Sequence, residues 1–312
     1  MPEILAPSFP LHQIEAIIWP HSHFDHIGDP SVFPSTTAAI TGPGFKANFL
    51  PGYPTNANSP IPESAYSGRE LIELDFADPN RWKILTIGPF RAIDYFEDGS
   101  FYLLDAPSHA VGHICALARV TSSLSHPSFD AALPPGGRRV SLVRDSEEDD
   151  SFVLLAGDAF HHAGELRPSE YVPLPKEIVP SPFGDGRKAC LGEVFDRVMK
   201  GGRAKPVYKS VGPWHCDFAR LGKTIRKLQV ADGTGNVLVA TAHDESLLGV
   251  VEFYPKTMNG FLKEGWLEKV RWGFLRDFGE AVGMGETENR RRWGAGKDGG
   301  EERSLFRRLV AR

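Results

Sequence analysis

Apolar residues come in short runs of about four to six, each closed by Gly, Pro or Asp, a pattern that predicts many short strands. Residues 14–19 (IEAIIW) read as a buried strand, and 36–41 as a second. Residues 83–87, 90–96 and 100–104 read as successive strands, with Asp98-Gly99 turning the last two. Further strands are predicted at 114–120, 152–156 and 237–242. Helices are predicted at 193–200, 217–228 and 267–281, the last from Leu267, Val270, Phe274, Leu275 and Phe278 near a 3.6-residue period. Asp217 is placed to cap the second. Residues 43–62, rich in Pro, Gly and Asn, read as a loop or lid with a short helix. Phe45, Phe49, Leu50 and Tyr53 give it the character of an apolar pocket wall. Strands mixed with helices, and polar residues just past strand ends, predict a layered α/β or α+β fold with its chemistry at those ends.

Two stretches fall outside this pattern. Residues 121–150 are polar and end in an acidic run, and are expected to be a mobile surface insertion. Residues 283–312 are Gly- and Arg-rich and are expected to be a disordered tail, leaving 1–282 as the folded domain.

Composition narrows the function. The 312 residues carry a formal charge of −5, which argues against a general nucleic-acid binder. No apolar run approaches the roughly 20 residues of a membrane span, and no signal peptide is visible. The three cysteines form no CxxC pair and read as buried small residues in a reducing, cytoplasmic setting. The eleven histidines are the informative residues.

Residues 21–26 are His-Ser-His-Phe-Asp-His, three imidazoles and one carboxylate directly after a predicted strand. In an extended segment, residues two apart point the same way, so His21 and His23 can grip one metal. Asp25 and His26, past the bend, can face a second. Later strand ends supply more candidates. Residues 105–113 (DAPSHAVGH) hold His109 and His113, the strand at 152–156 is followed by Gly157-Asp158, and that at 237–242 by His243.

This series, HSHFDH, APSHAVGH, AGDA and a late strand-end His, resembles the metallo-β-lactamase superfamily over roughly residues 14–282. It is most similar to the fungal lactonase/lactamase-like branch, akin to acyl-homoserine lactonases. The resemblance implies an α+β fold, a four-layer αββα sandwich with the site at its rim. It implies one metal on His21, His23 and His109, another on Asp25, His26 and His243, and Asp158 bridging them. Two Zn²⁺ ions per chain are expected, with iron or manganese as alternatives. Ser108 stands where the family's TPGH motif has Gly. His113 matches a histidine that is not a ligand and orients its loop.

Such a set activates water for attack on a carbonyl, so the expected reaction is opening of a small-molecule lactone or lactam by metal-bound hydroxide. Asp25 and His161 are the candidate catalytic side chains. His161 stands three residues past Asp158, where related lactonases place a Tyr that assists the substrate carbonyl. His162 reads as exposed and inert, and His215 as a residue of a helix-start loop or a gate. A thioesterase acting on a carrier-bound polyketide is the alternative enzyme, and a truncated, non-catalytic metal-binding fragment the alternative from another class. The resemblance implies more chain before the first motif, so the sequence reads as N-terminally truncated, with part of the N-terminal sheet missing. Oligomeric state is left open.

Overall fold

The computed structural model describes residues 9–121, 150–184, 186–210 and 217–284. The predicted insertion and tail lie almost wholly outside these residues, as do His215 and Cys216. Among the described residues no helix is long and apolar enough to cross a membrane.

Two sheets face each other. The first is parallel, in the order β1 (Ala16–Ile18), β2 (Ala38–Thr41), β3 (Leu71–Glu73). Parallel neighbours require crossovers, and the one from β1 to β2 contains the histidine motif and helix α1 (Phe24–Ile27). Helix α2 (Phe45–Phe49) lies in the next. The second sheet has six strands: β4 (Ile84–Ile87), β5 (Phe90–Asp94), β6 (Phe101–Asp105), β7 (Ile114–Thr121), β8 (Ser151–Leu155) and, alongside β8, β11 (Val237–Ala240). Strands β4 to β8 form an antiparallel meander, and β11 runs parallel to β8. A separate two-stranded pair joins β9 (Glu177–Ile178) and β10 (Cys190–Leu191).

Alternation of side chains along the strands sorts the core into layers. Ile18, Ile40 and Ile72 of the small sheet meet Ile93, Leu103 and Ile114 of the large one. The opposite face of the large sheet, with Leu104, Leu117, Leu154 and Val239, packs against Leu228 and Ala231 of helix α3 (Phe218–Asp232). The outer face of the small sheet is covered by Trp19, Ile27 and Phe45. This is the expected α+β sandwich, with helices outside two facing sheets. At the β8–β11 end, Val153 and Leu238 pack instead beneath Leu247, Phe261 and Val270, the last on helix α4 (Trp266–Gly273).

Several expectations need correction. Residues 193–200 form only a 3₁₀ turn, Gly192–Phe195, followed by further turns. The last helix is α-helical over Trp266–Gly273 and tightens to 3₁₀ over Phe274–Phe278. The β5–β6 connection is a wider loop in which Glu97 and Gly99 both have positive φ and Asp94 Oδ1 accepts the Gly99 N–H at 3.1 Å. Strand β3 was not anticipated. Of the residues expected to wall a pocket, Phe45, Phe49 and Leu50 pack into the cluster that covers the small sheet, Phe45 5.5 Å from Trp19 and 5.1 Å from Phe49. As expected, Asp217 caps α3, accepting from the Ala219 and Arg220 amides.

One buried ion pair ties the two halves of the large sheet's cover together. Arg167, fully buried, donates twice to Asp232, at 2.8 and 2.7 Å. Arg271 of α4 donates to the Asp232 carbonyl at 2.6 Å. Removing one member of such a pair strands the other charge in the interior, at a cost of about 3–5 kcal/mol. Asp232→Ala should therefore lower unfolding free energy in urea by about that amount, whereas a loss below about 1 kcal/mol would mean the arginines find other partners.

Candidate metal centre

Topology brings the ligand-bearing loops to one edge. Strands β6 and β8 both run antiparallel to β7, and β11 runs parallel to β8, so all three end on the same side of the sheet. His109 follows β6, Asp158 follows β8 and His243 follows β11. The loop after β1 joins them there, because the Ile114 amide at the start of β7 donates to the Pro20 carbonyl at 2.9 Å.

Local features hold each loop in place. Arg69 donates to four carbonyls of the first crossover, those of Pro30, Phe33, Pro34 and Thr37, at 2.8–3.2 Å. Trp19 Nε1 donates to the Ile27 carbonyl at 3.1 Å and closes α1 over the strand end. Gly42 is required by close approach: a Cβ there would lie 2.0 Å from the Gly112 carbonyl oxygen, in the loop that carries His109. Gly157, at φ +54°, lets the chain turn into Asp158, and a Cβ on it would meet His113 Nε2 at 2.9 Å.

All seven residues singled out as ligands meet here. His21, His23, His109 and Asp158 form one group, and Asp25, His26, Asp158 and His243 another. Within each, one ligand atom per residue lies within 4.8 Å of every other. Asp158 belongs to both. Its Oδ1 lies 3.0 Å from His26 Nε2, and its Oδ2 lies 3.2 Å from His243 Nε2 and 3.7 Å from both His21 Nε2 and His109 Nε2. His109 Nε2 and His23 Nδ1 converge to 2.8 Å. Asp25 Oδ2 stands 3.5 Å from His26 Nε2 and 3.6 Å from His243 Nε2.

The two groups differ in access. His21, His109 and Asp158 are buried, whereas the side chains of Asp25 and His243 are 38% and 43% exposed. Burial depresses the His21 pKa to about 2, with help from His113 and His26 nearby, and it lowers His23 as well. Both rings are therefore neutral and offer lone pairs. Burial works to raise the Asp158 carboxyl, but hydrogen bonds from His161, His243 and His26 outweigh it and hold the group well below the usual carboxylate range. Neutral imidazoles around an ionised carboxylate are the protonation state that divalent cations need. Both ring nitrogens of buried His21 lack a hydrogen-bond partner among the described residues, a costly arrangement unless a ligand completes it. The donor set is all nitrogen and oxygen and fits zinc, iron or manganese. The described cysteines take no part: Cys115 and Cys190 are buried, and burial pushes the Cys115 thiol up.

Three neighbours complete the picture. His113 stands outside both groups. Its Nδ1 lies 2.9 Å from the Ala106 carbonyl, and its Nε2 accepts the Asp158 amide at 3.2 Å. It thus sets the backbone that carries the shared carboxylate. His161 lies over the site, with Nε2 3.4 Å from Asp158 Oδ2 and its ring stacked 5.1 Å from His243. His162 is not exposed and inert: it is half-buried and lies 3.2 Å from Asp277. Sequence reasoning passed over Phe24 and Asp277. Phe24 lies between His23 and Asp25 in the chain and is 86% exposed, and its place inside the motif was the available signal. Nothing local marks Asp277.

His113→Leu should strand the Ala106 carbonyl and the Asp158 amide. Each buried group left unpaired costs about 1–3 kcal/mol. Urea unfolding of the metal-free protein should register that loss, with His113→Gln milder. Equal stability of His113→Leu and the parent would remove His113 as the support of Asp158.

The chain matches no family model. It is 43% identical over 271 residues to γ-lactamase FDB1 of Fusarium pseudograminearum, covering 86% of this chain and 59% of that protein. It is 38% identical over 269 residues to the metallo-hydrolase mfmC of Annulohypoxylon moriforme, covering 86% of this chain and 63% of the relative. The chain thus spans less than two thirds of the length of these two. Against γ-lactamase MBL2 of Gibberella moniliformis it is 43% identical over 221 residues, 70% of this chain and 81% of that one. Identity on this scale, over most of MBL2, agrees with the resemblance carried by the histidine motifs: the chain belongs to the fungal metallo-β-lactamase-like family of lactamases and lactonases.

Proposed function

We propose that the chain is a dinuclear metal-dependent hydrolase that opens the lactam or lactone ring of a small molecule. The observation that carries this reading is the sharing of Asp158 by two four-residue ligand groups. Two divalent ions held there, zinc before iron or manganese, would lower the pKa of water to about 7 and polarise a carbonyl oxygen.

The chain's own residues set access and orientation. Asp25 and His243 form the open side, so a substrate approaches across them rather than across buried His21 and His109. Phe24, next in the chain to His23 and Asp25, is an exposed apolar ring that would suit a substrate with an apolar body. The His161 side chain is 34% exposed. Beside the shared carboxylate, its ring would offer an N–H to an oxygen that gains charge during attack. The names of FDB1 and MBL2, both γ-lactamases, support a cyclic amide as the first substrate class to test.

The direct test is hydrolysis of a panel of lactams, lactones and thioesters by the zinc-loaded chain. Ring opening that a chelator abolishes is expected. A fully loaded protein that cleaves none of them, or thioesters alone, contradicts the reading.

Three further outcomes follow. Elemental analysis should find two metal equivalents per chain, and Asp158→Ala should lose both while its far-ultraviolet circular dichroism stays native. One equivalent in the parent protein would contradict the dinuclear arrangement. His161→Ala should keep its metals and lose about 100-fold or more in kcat, the usual effect of removing a preorganised donor. Phe24→Ala should raise KM while leaving kcat nearly unchanged, the mark of lost uniform binding. An unchanged KM would place the substrate away from Phe24.

A further inference from the structure

Adjacent residues His161 and His162 turn opposite ways. His161 faces the ligand groups, stacked on His243 and 4.8 Å, ring to ring, from His109. His162 turns into the C-terminal part of the chain and is held at both ring nitrogens. Its Nδ1 accepts the Gly164 amide at 3.0 Å, so the proton of the neutral ring sits on Nε2, 3.2 Å from Asp277 Oδ2. Its ring lies over Tyr208 at 5.4 Å and against the edges of Phe274 at 5.6 Å and Phe278 at 6.0 Å. Rotating it breaks two hydrogen bonds and the packing together. The two residues share a peptide unit, so whatever fixes His162 also limits where His161 can stand.

Asp277 comes from the 3₁₀ segment Phe274–Phe278, 115 residues further along the chain. The same C-terminal region also touches the loop after His243. Arg276 Nη2 donates to the Glu245 carbonyl at 2.7 Å, and Ser246 Oγ to the Val270 carbonyl at 3.4 Å. A Cβ on Gly273 would lie 3.1 Å from Ser246 Cβ, so the two backbones are closely apposed. Residues 270–277 therefore brace both loops whose histidines, His161 and His243, stack on each other.

We propose that the His162–Asp277 pair is a positioning device for the metal centre, setting the His161 ring against His243 over the open ligand group. This rests on the hydrolase reading. Neither residue of the pair is among the ligands; both act through the backbone of residues 158–162. Partners that orient groups around a metal typically contribute about 10–100-fold in affinity or activity.

The test compares the full chain loaded with Co²⁺ in the parent, Asp277→Ala and Asp277→Asn forms. Three quantities are read: the visible absorption of bound cobalt, the thermal midpoint, and kcat with KM on whichever substrate the parent opens. Asp277→Ala should hold its cobalt with an altered visible spectrum and lose about 10–100-fold in kcat, with KM within about two-fold. Asp277→Asn keeps an acceptor for the His162 N–H and should restore most of both. Asp277→Ala with the parent's spectrum and kcat would overturn the proposal. So would a loss that tracks only a lowered thermal midpoint and that Asp277→Asn does not rescue. Should Asp277→Ala fail to fold, Asp277→Ser, polar but too short to reach His162, takes its place with the same expected outcomes. A parent that binds cobalt yet opens no substrate sinks the hydrolase reading alone, because the spectral comparison still decides the role of the pair. A parent that binds no cobalt overturns both.

Discussion

One carboxylate organises the site. Asp158 is buried, yet it stays ionised because the imidazoles of His26, His161 and His243 direct their nitrogens at it. A lone buried carboxylate would be expelled or neutralised. Four loops from two sheets meet around it, and among the described residues it is the member that the two candidate ligand groups share. In turn its place depends on His113, which holds its amide, and on Gly157, which lets the chain turn into it.

The scaffold brings these loops together through strand direction. Three strands of the large sheet end at one edge with a single candidate ligand each, and the parallel crossover after β1 delivers four more. The loops are then fixed by contacts that carry no chemistry of their own. Arg69 gathers the carbonyls of the first crossover, Gly42 meets the His109 loop with no room for a side chain, and residues 270–277 brace the remaining two. The group of His21, His23 and His109 is the more buried, and that of Asp25 and His243 the more exposed. On the proposed reading, Asp25, His161 and His243, which are partly exposed, form the side that a substrate would meet.

How much of this was legible in sequence depended on the range of the interaction. That these seven residues converge was legible because four of them crowd into the 21–26 motif and the others follow apolar strands, as Asp158 and His243 do. The strands of the large sheet were legible as short apolar runs. Strand β3 was missed because its three residues, Leu71–Glu73, are too few for a period to show. The helix expected at 193–200 failed because a short amphipathic stretch cannot by itself separate an α-helix from 3₁₀ turns packed on a neighbour. Phe45 and Phe49 were taken for a pocket wall because an aromatic cluster beside a motif looks the same whether it faces a substrate or the back of a sheet. The pairing of Asp277 with His162 was illegible, since it joins residues 115 apart that meet only once the C-terminal segment packs against the loop after Asp158.

Anomalous X-ray diffraction at the zinc edge, on crystals of the zinc-loaded chain, tests the central claim most directly. The account predicts two peaks about 3.5–4 Å apart. Asp158 should lie between them, with His21, His23 and His109 around one and Asp25, His26 and His243 around the other. A single peak, or two peaks of which one leaves Asp158 unligated, would contradict it.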